Sequence, residues 1–331
     1  MSAGQARAEK ESARIERRLE ALYGTVDWAA AGGLLHVAAV EGARRRVIAI
    51  GPHSPPSAAD RFVLGAARAR SDALVTSGAV LRAEPRLVHR LAETAAEESG
   101  LQAWRLHRLG RSRPPQLIVL TREGEIPVHH PALQLAPGGF VWTSEAGRAR
   151  LGGRVGALDV IAGIPPRADG RKGPGSGLRS GRDAASVGEA GGLAEALEHA
   201  LSRPGVETVL VEAGPSLASS LYPDPERDPE LDTQRDPTPG PGPGHARGAR
   251  VEELLLSRFE GALDDRAVGP PFLSEGAIGA AFGSPPSAAR VEEPSGVWTF
   301  LRYRRDGAGR REGQGALERG DRPGRASGVG R

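Results

Sequence analysis

Residues 56–90, PSAADRFVLGAARARSDALVTSGAVLRAEPRLVHR, contain the succession of local signals that decides the fold. A serine precedes an alanine-rich stretch, and serine is favoured at the start of a helix, so we predict a helix over 57–70. The apolar run over 72–76 then predicts a buried strand that ends at Ser77 and Gly78. A helix followed at once by a buried strand is typical of α/β proteins.

The same alternation of helix and strand continues on both sides of this stretch. An amphipathic helix is predicted over 193–202, and Ile15, Leu19 and Leu22 lie at helical spacing within a charged segment, 8–23. Short apolar runs predict further strands over residues 34–40, 47–50, 117–121, 140–143, 155–162, 208–211, 251–257 and 297–303. Strands that mostly alternate with helices predict a largely parallel sheet with helices on both faces.

Glycine and proline mark where this pattern is interrupted. The 331 residues include 46 Gly and 27 Pro, and many of these lie in 165–192, 222–250 and 305–331. Segments of this composition bury too little apolar area to offset the entropy lost on ordering. We therefore interpret them as two disordered surface insertions and a disordered tail. The rest of the chain divides into a charged helical extension, 1–33, and one domain, 34–304.

The composition also excludes several classes of function. There is no cysteine, which removes thiolate nucleophiles, disulfides, iron–sulfur clusters and cysteine-ligated zinc. We find no signal peptide and no apolar run of the roughly 18 residues that a membrane span needs, so we expect a cytoplasmic protein without membrane contact. His129 and His130 lie in a proline-flanked loop with no other ligand nearby, so we expect surface residues and no metal.

The charged residues favour a solvated surface over a nucleic-acid interface. Of the 44 basic residues 42 are arginine, but 41 acidic residues balance them and the formal net charge is only +3. Aromatic residues rarely lie among the arginines, and no known binding motif accompanies them. Nucleic-acid binding is therefore only a third, weaker hypothesis.

Two strand-to-helix turns are candidate ligand contacts. TSGAV, 76–80, follows one predicted strand, and EAGPS, 212–216, follows another. Ligands of parallel sheets bind at the carboxyl ends of the strands, and a glycine lets the backbone approach a ligand closely. A glycine after a strand is also common as a simple turn residue, so each turn alone leaves both interpretations open.

Four stretches, in this order along the chain, resemble a known enzyme family. They are residues 56–90, VETVLVEAGPSLASSLY at 206–222, VEELLLS at 251–257 and FLRYRR at 300–305. Together they resemble the reductase domain of bacterial riboflavin biosynthesis, the C-terminal half of the bifunctional deaminase–reductase, which shares the dihydrofolate reductase fold. The resemblance implies a three-layer α/β/α domain with a mostly parallel sheet, an antiparallel C-terminal edge strand and a homodimer. It also implies NADPH as the cofactor and a phosphorylated pyrimidine substrate, whose ribose is reduced at C1.

The resemblance assigns roles to individual residues. The family's substrate-phosphate arginines correspond to Arg61 and to Arg90, the last residue of a Pro-x-Leu-x-x-Arg pattern, and Ser57 and Leu87 belong to the same substrate site. The residues that correspond to the two cofactor turns are Ser77, Gly78, Ala79 and Val80, and Gly214, Pro215 and Ser216.

Two glutamates complete the implied site, and several other positions depart from the family's pattern. Glu41 and Glu212 are implied as the catalytic carboxylates that hydrogen-bond the ribose or the pyrimidine. Alanine replaces hydroxyl, acidic or glycine residues of the family at Ala39, Ala79, Ala83 and Ala213. Each hydrogen bond lost in this way removes roughly 0.5 to 1.5 kcal/mol of binding. The alternative hypothesis is a catalytically degenerate member of the same fold that acts as a binding or regulatory module.

Overall fold

The helix predicted over 57–70 forms as its N-terminal serine suggests. The hydroxyl of Ser57 accepts a hydrogen bond from the backbone N–H of Asp60 (2.9 Å), and the helix ends at Arg70. The computed structural model that contains it describes residues 3–29, 32–49, 51–165, 183–212, 217, 219–222, 250–283 and 288–305. The helices in this part of the chain are α1 (Ala3–Tyr23), α2 (Ala58–Arg70), α3 (Gly78–Ala83), α4 (Ala95–His107), α5 (Pro131–Gln134), α6 (Glu145–Leu151), α7 (Asp183–Ser202) and α8 (Glu275–Phe282).

The strands form one mixed sheet. They are β1 (Gly33–Glu41), β2 (Arg46–Ile48), β3 (Ala73–Ser77), β4 (Gln116–Leu120), β5 (Gly139–Thr143), β6 (Arg154–Val155), β7 (Leu158–Ala162), β8 (Thr208–Val211), β9 (Val251–Phe259), β10 (Val268–Pro271), β11 (Ala288–Glu293) and β12 (Gly296–Arg304). Their order is β11-β12-β9-β1-β8-β3-β4-β5-β7-β6, with β2 paired to β1 and β10 to β2. The run from β9 to β7 is parallel throughout, whereas β12 and β6 are antiparallel to their neighbours. The predicted mostly parallel sheet is therefore confirmed.

Alternate residues of the central strands enter two apolar cores. Leu35, Leu74 and Leu210 pack with α1, α2 and α4 on one side, which we call the α2 face. Val75 and Val211 pack with α7 and α8 on the opposite side, the α7 face. With helices covering both faces, the protein has the three-layer α/β/α architecture that the sequence predicts.

Two strand assignments differ from the prediction. The strand expected over 155–162 is a hairpin of β6 and β7, because Gly156 adopts a left-handed turn conformation (φ 59°) that breaks the run. The final strand β12 lies between β9 and β11, so the antiparallel C-terminal edge is a two-stranded hairpin whose outer strand was not predicted.

The predicted extension and insertions are only partly described. Helix α1 packs against α4, and Ile15, Leu19, Leu22 and Tyr23 are buried in the core of the α2 face. Helix α7 begins at Asp183 and so includes the end of the first predicted insertion. Residues 166–182 of that insertion lie outside the described residues. Most of 222–250 and of the tail also lies outside them. In the part of the chain that the structure describes, no helix has the length and apolar character to cross a membrane.

Candidate functional site

The carboxyl ends of the neighbouring strands β3 and β8 bring polar residues together. The parallel register pairs Val75 with Val211, so the next pair is Thr76 with Glu212. The backbone N–H of Glu212 donates to the carbonyl of Val75 (2.8 Å), which fixes this alignment. Because side chains alternate along a strand, Thr76 and Glu212 both belong to the α2 face.

The carboxylate of Glu212 is clamped by Arg68 of α2. Nε and Nη2 of Arg68 donate to the two carboxylate oxygens at 2.7 and 2.6 Å, and both side chains are 11% exposed. Burial alone would raise the pKa of Glu212, but the Arg68 guanidinium holds it well below its ordinary value. Glu212 is therefore a fixed anion at the end of β8.

A histidine that the sequence analysis did not single out also lies in this cluster. His89 belongs to the segment after α3, and its side chain is 7% exposed. Its Nδ1 lies 3.3 Å from a carboxylate oxygen of Glu212, too poorly aligned for a good hydrogen bond. Its Nε2 and the hydroxyl of Thr76 are buried, and neither has a hydrogen-bond partner among the described residues. His89 occupies an x position of the Pro-x-Leu-x-x-Arg pattern, which any residue can fill. The fact that it is a histidine was therefore the one sequence signal for a functional role.

Glu84 lies at the side of the same cluster. Burial raises the pKa of its carboxyl group, and the nearby negative charge of Glu212 raises it further, against the opposing effect of His89. Its backbone carbonyl contacts Nε2 of His130 (2.9 Å), whose Nδ1 accepts from the N–H of Ala132 and caps α5. His130 is thus buried, and the expectation that it is a surface residue was wrong. Among the described residues, no group of three or more His, Asp or Glu side chains is arranged to hold a metal ion.

The first predicted cofactor turn is formed at the end of β3. Ser77 caps α3 by accepting from the N–H of Val80 (3.2 Å), and Ala79 is exposed. A Cβ on Gly78 would come within 3.0 to 3.2 Å of Ile126 and Thr121, so packing already explains the glycine there. The predicted cofactor residues of the second turn, Gly214, Pro215 and Ser216, lie outside the described residues.

The two predicted catalytic carboxylates are not brought together. The register pairs His36 with Val211, which puts Val37 opposite Glu212. Glu41 lies four residues beyond Val37, a separation of about 13 Å along the strand at 3.3 Å per residue. Oε2 of Glu41 accepts from the N–H of Arg44 (3.0 Å), which stabilises the turn after β1. In this arrangement only Glu212 belongs to the cluster.

The predicted substrate residues lie on α2 and on the segment that follows α3. Arg61 is 47% exposed, and its Nε lies 3.4 Å from the carboxylate of Glu93. The carbonyl of Arg90 accepts from Nη1 of Arg68 (2.7 Å), and the Arg90 residue is exposed. Leu87 is partly buried against the core of the α2 face. Both arginines are thus exposed, with Arg61 in the first turn of α2 and the backbone of Arg90 near the last turn.

The N-terminus of α2, where Ser57 lies, already holds a carboxylate. Oε1 of Glu293, at the end of β11, accepts from the N–H of Ala59 (3.0 Å). The neighbouring Ser295 hydroxyl donates to the carbonyl of Pro56 (2.6 Å) and holds the β11–β12 hairpin in place. Ser57 thus acts as a helix cap, and the adjacent backbone donor is occupied by the protein's own side chain.

Comparison with known proteins finds similar structures but no match in sequence. No protein-family model and no curated protein matches the sequence. A pyrimidine reductase-like protein from Corynebacterium diphtheriae is similar in fold, with 16% identity, a TM-score of 0.48, and coverage of 87% of this chain and 98% of that one. A riboflavin biosynthesis reductase from Saccharomyces cerevisiae has 9% identity and a TM-score of 0.43, with 86% and 96% covered.

A third similar structure belongs to a longer protein. It is a diaminohydroxyphosphoribosylaminopyrimidine deaminase/5-amino-6-(5-phosphoribosylamino)uracil reductase from Thermotoga maritima, with 14% identity and a TM-score of 0.40. The match covers 83% of this chain but only 57% of that one, so this chain spans little more than half its length. All three likenesses are likenesses of fold.

Proposed function

We propose that this protein is an NADPH-dependent reductase that delivers a hydride to the ribose C1 of an aminopyrimidine ribosyl phosphate. The basis is the sequence resemblance together with the polar cluster at the carboxyl ends of β3 and β8. The reduced nicotinamide supplies the hydride when it is bound, and the protein's own residues bind and orient the reactants.

The unpaired buried atoms of the cluster carry this proposal. Native proteins rarely leave a buried polar group without a partner, yet Thr76 Oγ1 and His89 Nε2 have none among the described residues. Both atoms belong to residues beside the anionic Glu212, at the strand ends where parallel sheets bind ligands. A ligand rich in hydroxyl and carbonyl groups, such as a ribosyl pyrimidine, fits such donors and acceptors.

The accessible arginines suit the phosphate of this substrate. Arg61 faces an exposed carboxylate, that of Glu93, and Arg90 is exposed on the segment that packs along α2. A guanidinium group binds phosphate in a bidentate manner, so either arginine is able to exchange its present surroundings for the substrate. A homodimer remains part of the proposal. Because β11 is the outer strand, pairing between two copies at this edge of the sheet involves β11.

A charge placed at the first cofactor turn tests NADPH binding. Ala79 and Ala83 are both exposed on α3, in its first and last turns. We expect Ala79→Glu to weaken NADPH binding at least tenfold, because its carboxylate repels the cofactor phosphates, and the matched control Ala83→Glu to change it less than twofold. The measurement is titration of NADPH into the pure protein, followed by nicotinamide fluorescence. Absence of saturable binding to the wild-type protein at millimolar NADPH would contradict the proposal.

One observation favours the alternative, a degenerate member of the fold with a binding or regulatory role. Glu212 already has both oxygens engaged by Arg68, and a carboxylate of the protein occupies the N-terminus of α2. Complementation of a riboflavin auxotroph that lacks the reductase separates the two functions. Growth requires an active reductase, so rescue supports the enzyme and excludes the alternative.

A further inference from the structure

The imidazole of His89 is buried, and neither of its ring nitrogens makes a well-aligned hydrogen bond with the described residues. Its side chain is 7% exposed, and Nδ1 faces Glu212 at 3.3 Å. Nε2 has no partner among the described residues, and leaving such a group buried is costly. A ligand atom at Nε2 would remove that cost, so the histidine points to a bound group rather than to core packing.

Thr76 gives an independent indication at the same place. Its hydroxyl is fully buried and also lacks a partner among the described residues, and it lies opposite Glu212 across the β3–β8 pair. Two neighbouring polar side chains therefore lack partners beside one anchored carboxylate. That combination fits a polar ligand held between the strand ends and the segment that carries His89.

The imidazole of His89 lies among charged side chains from α2 and from the ends of α3 and β8. The carboxylates of Glu212 and Glu84 face it, and Arg68 supplies one positive charge. Nε2 of His130 contacts the backbone carbonyl of Glu84.

We propose that His89 is the proton donor of the reductase and that Glu212, fixed by Arg68, positions it. This inference rests on the proposed function. The reduced nicotinamide, when bound, would supply a hydride to C1, and the bond between C1 and the ribose ring oxygen would break with its electron pair left on oxygen. That oxygen takes the proton from Nε2 of His89 and becomes a hydroxyl, and His89 recovers a proton from water. Glu212 cannot serve as this donor, because its pairing with Arg68 keeps it ionised.

The pH dependence of turnover separates proton donation from a structural role. We expect His89→Gln to lower kcat about 10²-fold or more and to abolish the alkaline fall of kcat, since glutamine keeps a hydrogen-bond donor but has no proton to transfer. NADPH binding and the unfolding temperature should match those of the control His129→Gln, which changes an exposed histidine. A kcat within twofold of the control with an unchanged alkaline limb would overturn the proposal. So would loss of that limb in Glu84→Gln but not in His89→Gln.

A measurement on the wild-type chain covers the case in which the His89 variant does not fold. The imidazole nitrogen resonances are recorded by NMR in the full-length protein while ribose 5-phosphate is added without cofactor. We expect the Nε2 resonance of His89, assigned by through-bond correlation with the backbone resonances of His89, to shift saturably. An Nε2 resonance that does not move while other site resonances shift would overturn the assignment. A wild-type protein that neither binds NADPH nor turns over the substrate would instead refute the proposed function.

Discussion

The pair of Arg68 and Glu212 is the residue-scale feature on which the site depends. Both side chains are 11% exposed and are joined by two short hydrogen bonds. Removing one partner of a buried pair leaves the other charge desolvated and unpaired. We therefore expect Glu212→Gln to lower the free energy of unfolding by about 3 to 5 kcal/mol.

Urea unfolding of the variant and of a matched surface variant checks this prediction. Glu125 pairs with Arg150 at 3.3 Å, but both side chains are more than half exposed. Glu125→Gln should change the free energy of unfolding by less than about 1 kcal/mol, because exposed pairs contribute little. Equal effects of the two substitutions would show that Arg68 and Glu212 do not form a buried pair in solution.

At the scale of elements, α2 is capped by two side chains of different origin. Ser57 is local, whereas Glu293 reaches the Ala59 N–H from β11. The second carboxylate oxygen of Glu293 is buried and has no partner among the described residues. Burial raises the pKa of the adjacent Asp60, and the charge of Glu293 raises it further. The end of α2 thus gains a hydrogen-bond acceptor at the expense of repulsion between two carboxylates.

Two substitutions at Glu293 separate these effects. Glu293→Ala should cost about 1 kcal/mol, as Ser57→Ala should, because each leaves a helix N–H without its acceptor. Glu293→Gln keeps the acceptor and removes the repulsion, so we expect wild-type stability or better and a lower pKa of Asp60. Urea unfolding and carboxyl NMR titration measure the two quantities. Equal stability of the Ala and Gln variants would contradict the capping role of Glu293.

The elements that the sequence predicts are those with strong local signals. Helix α2 and strand β3 follow from a capping serine and a buried apolar run. Strand β11, AARVEE, has no fully buried residue and forms because β12 pairs with it, so its own pattern offers little signal. The same distinction between local signals and long-range contacts applies to the residues of the site. Glu212 follows from a motif, but its contacts with Arg68 and His89 join segments far apart in sequence and are set by the fold.

At the scale of the whole molecule, one buried glutamate joins four separate parts of the chain. Glu253 of β9 accepts two hydrogen bonds from Arg70 at the end of α2 (2.9 and 3.0 Å) and one from Arg302 of β12 (2.8 Å). The two guanidinium groups each lie 5.0 Å from the centre of the Trp28 ring, in the segment that follows α1. This cluster ties the N-terminal segment to the helix layer and the sheet.

Acid should lower the free energy of unfolding by protonating Glu253. Burial alone would raise the pKa of Glu253, but Arg70 and Arg302 lower it from 4.5 to about 2. Because the folded value is the lower one, the stabilisation is present above pH 4.5 and is lost as the pH falls toward 2.

The pKa difference corresponds to about 3 kcal/mol for this side chain, which is 3% exposed. We expect Glu253→Gln to be destabilised near pH 7 and to lose less stability than the wild type between pH 4.5 and 2. The exposed Glu123→Gln serves as the control. Urea unfolding across this range gives the slopes. Parallel curves for the wild type and Glu253→Gln would show that Glu253 is not the group whose protonation loosens the sheet and its N-terminal segment.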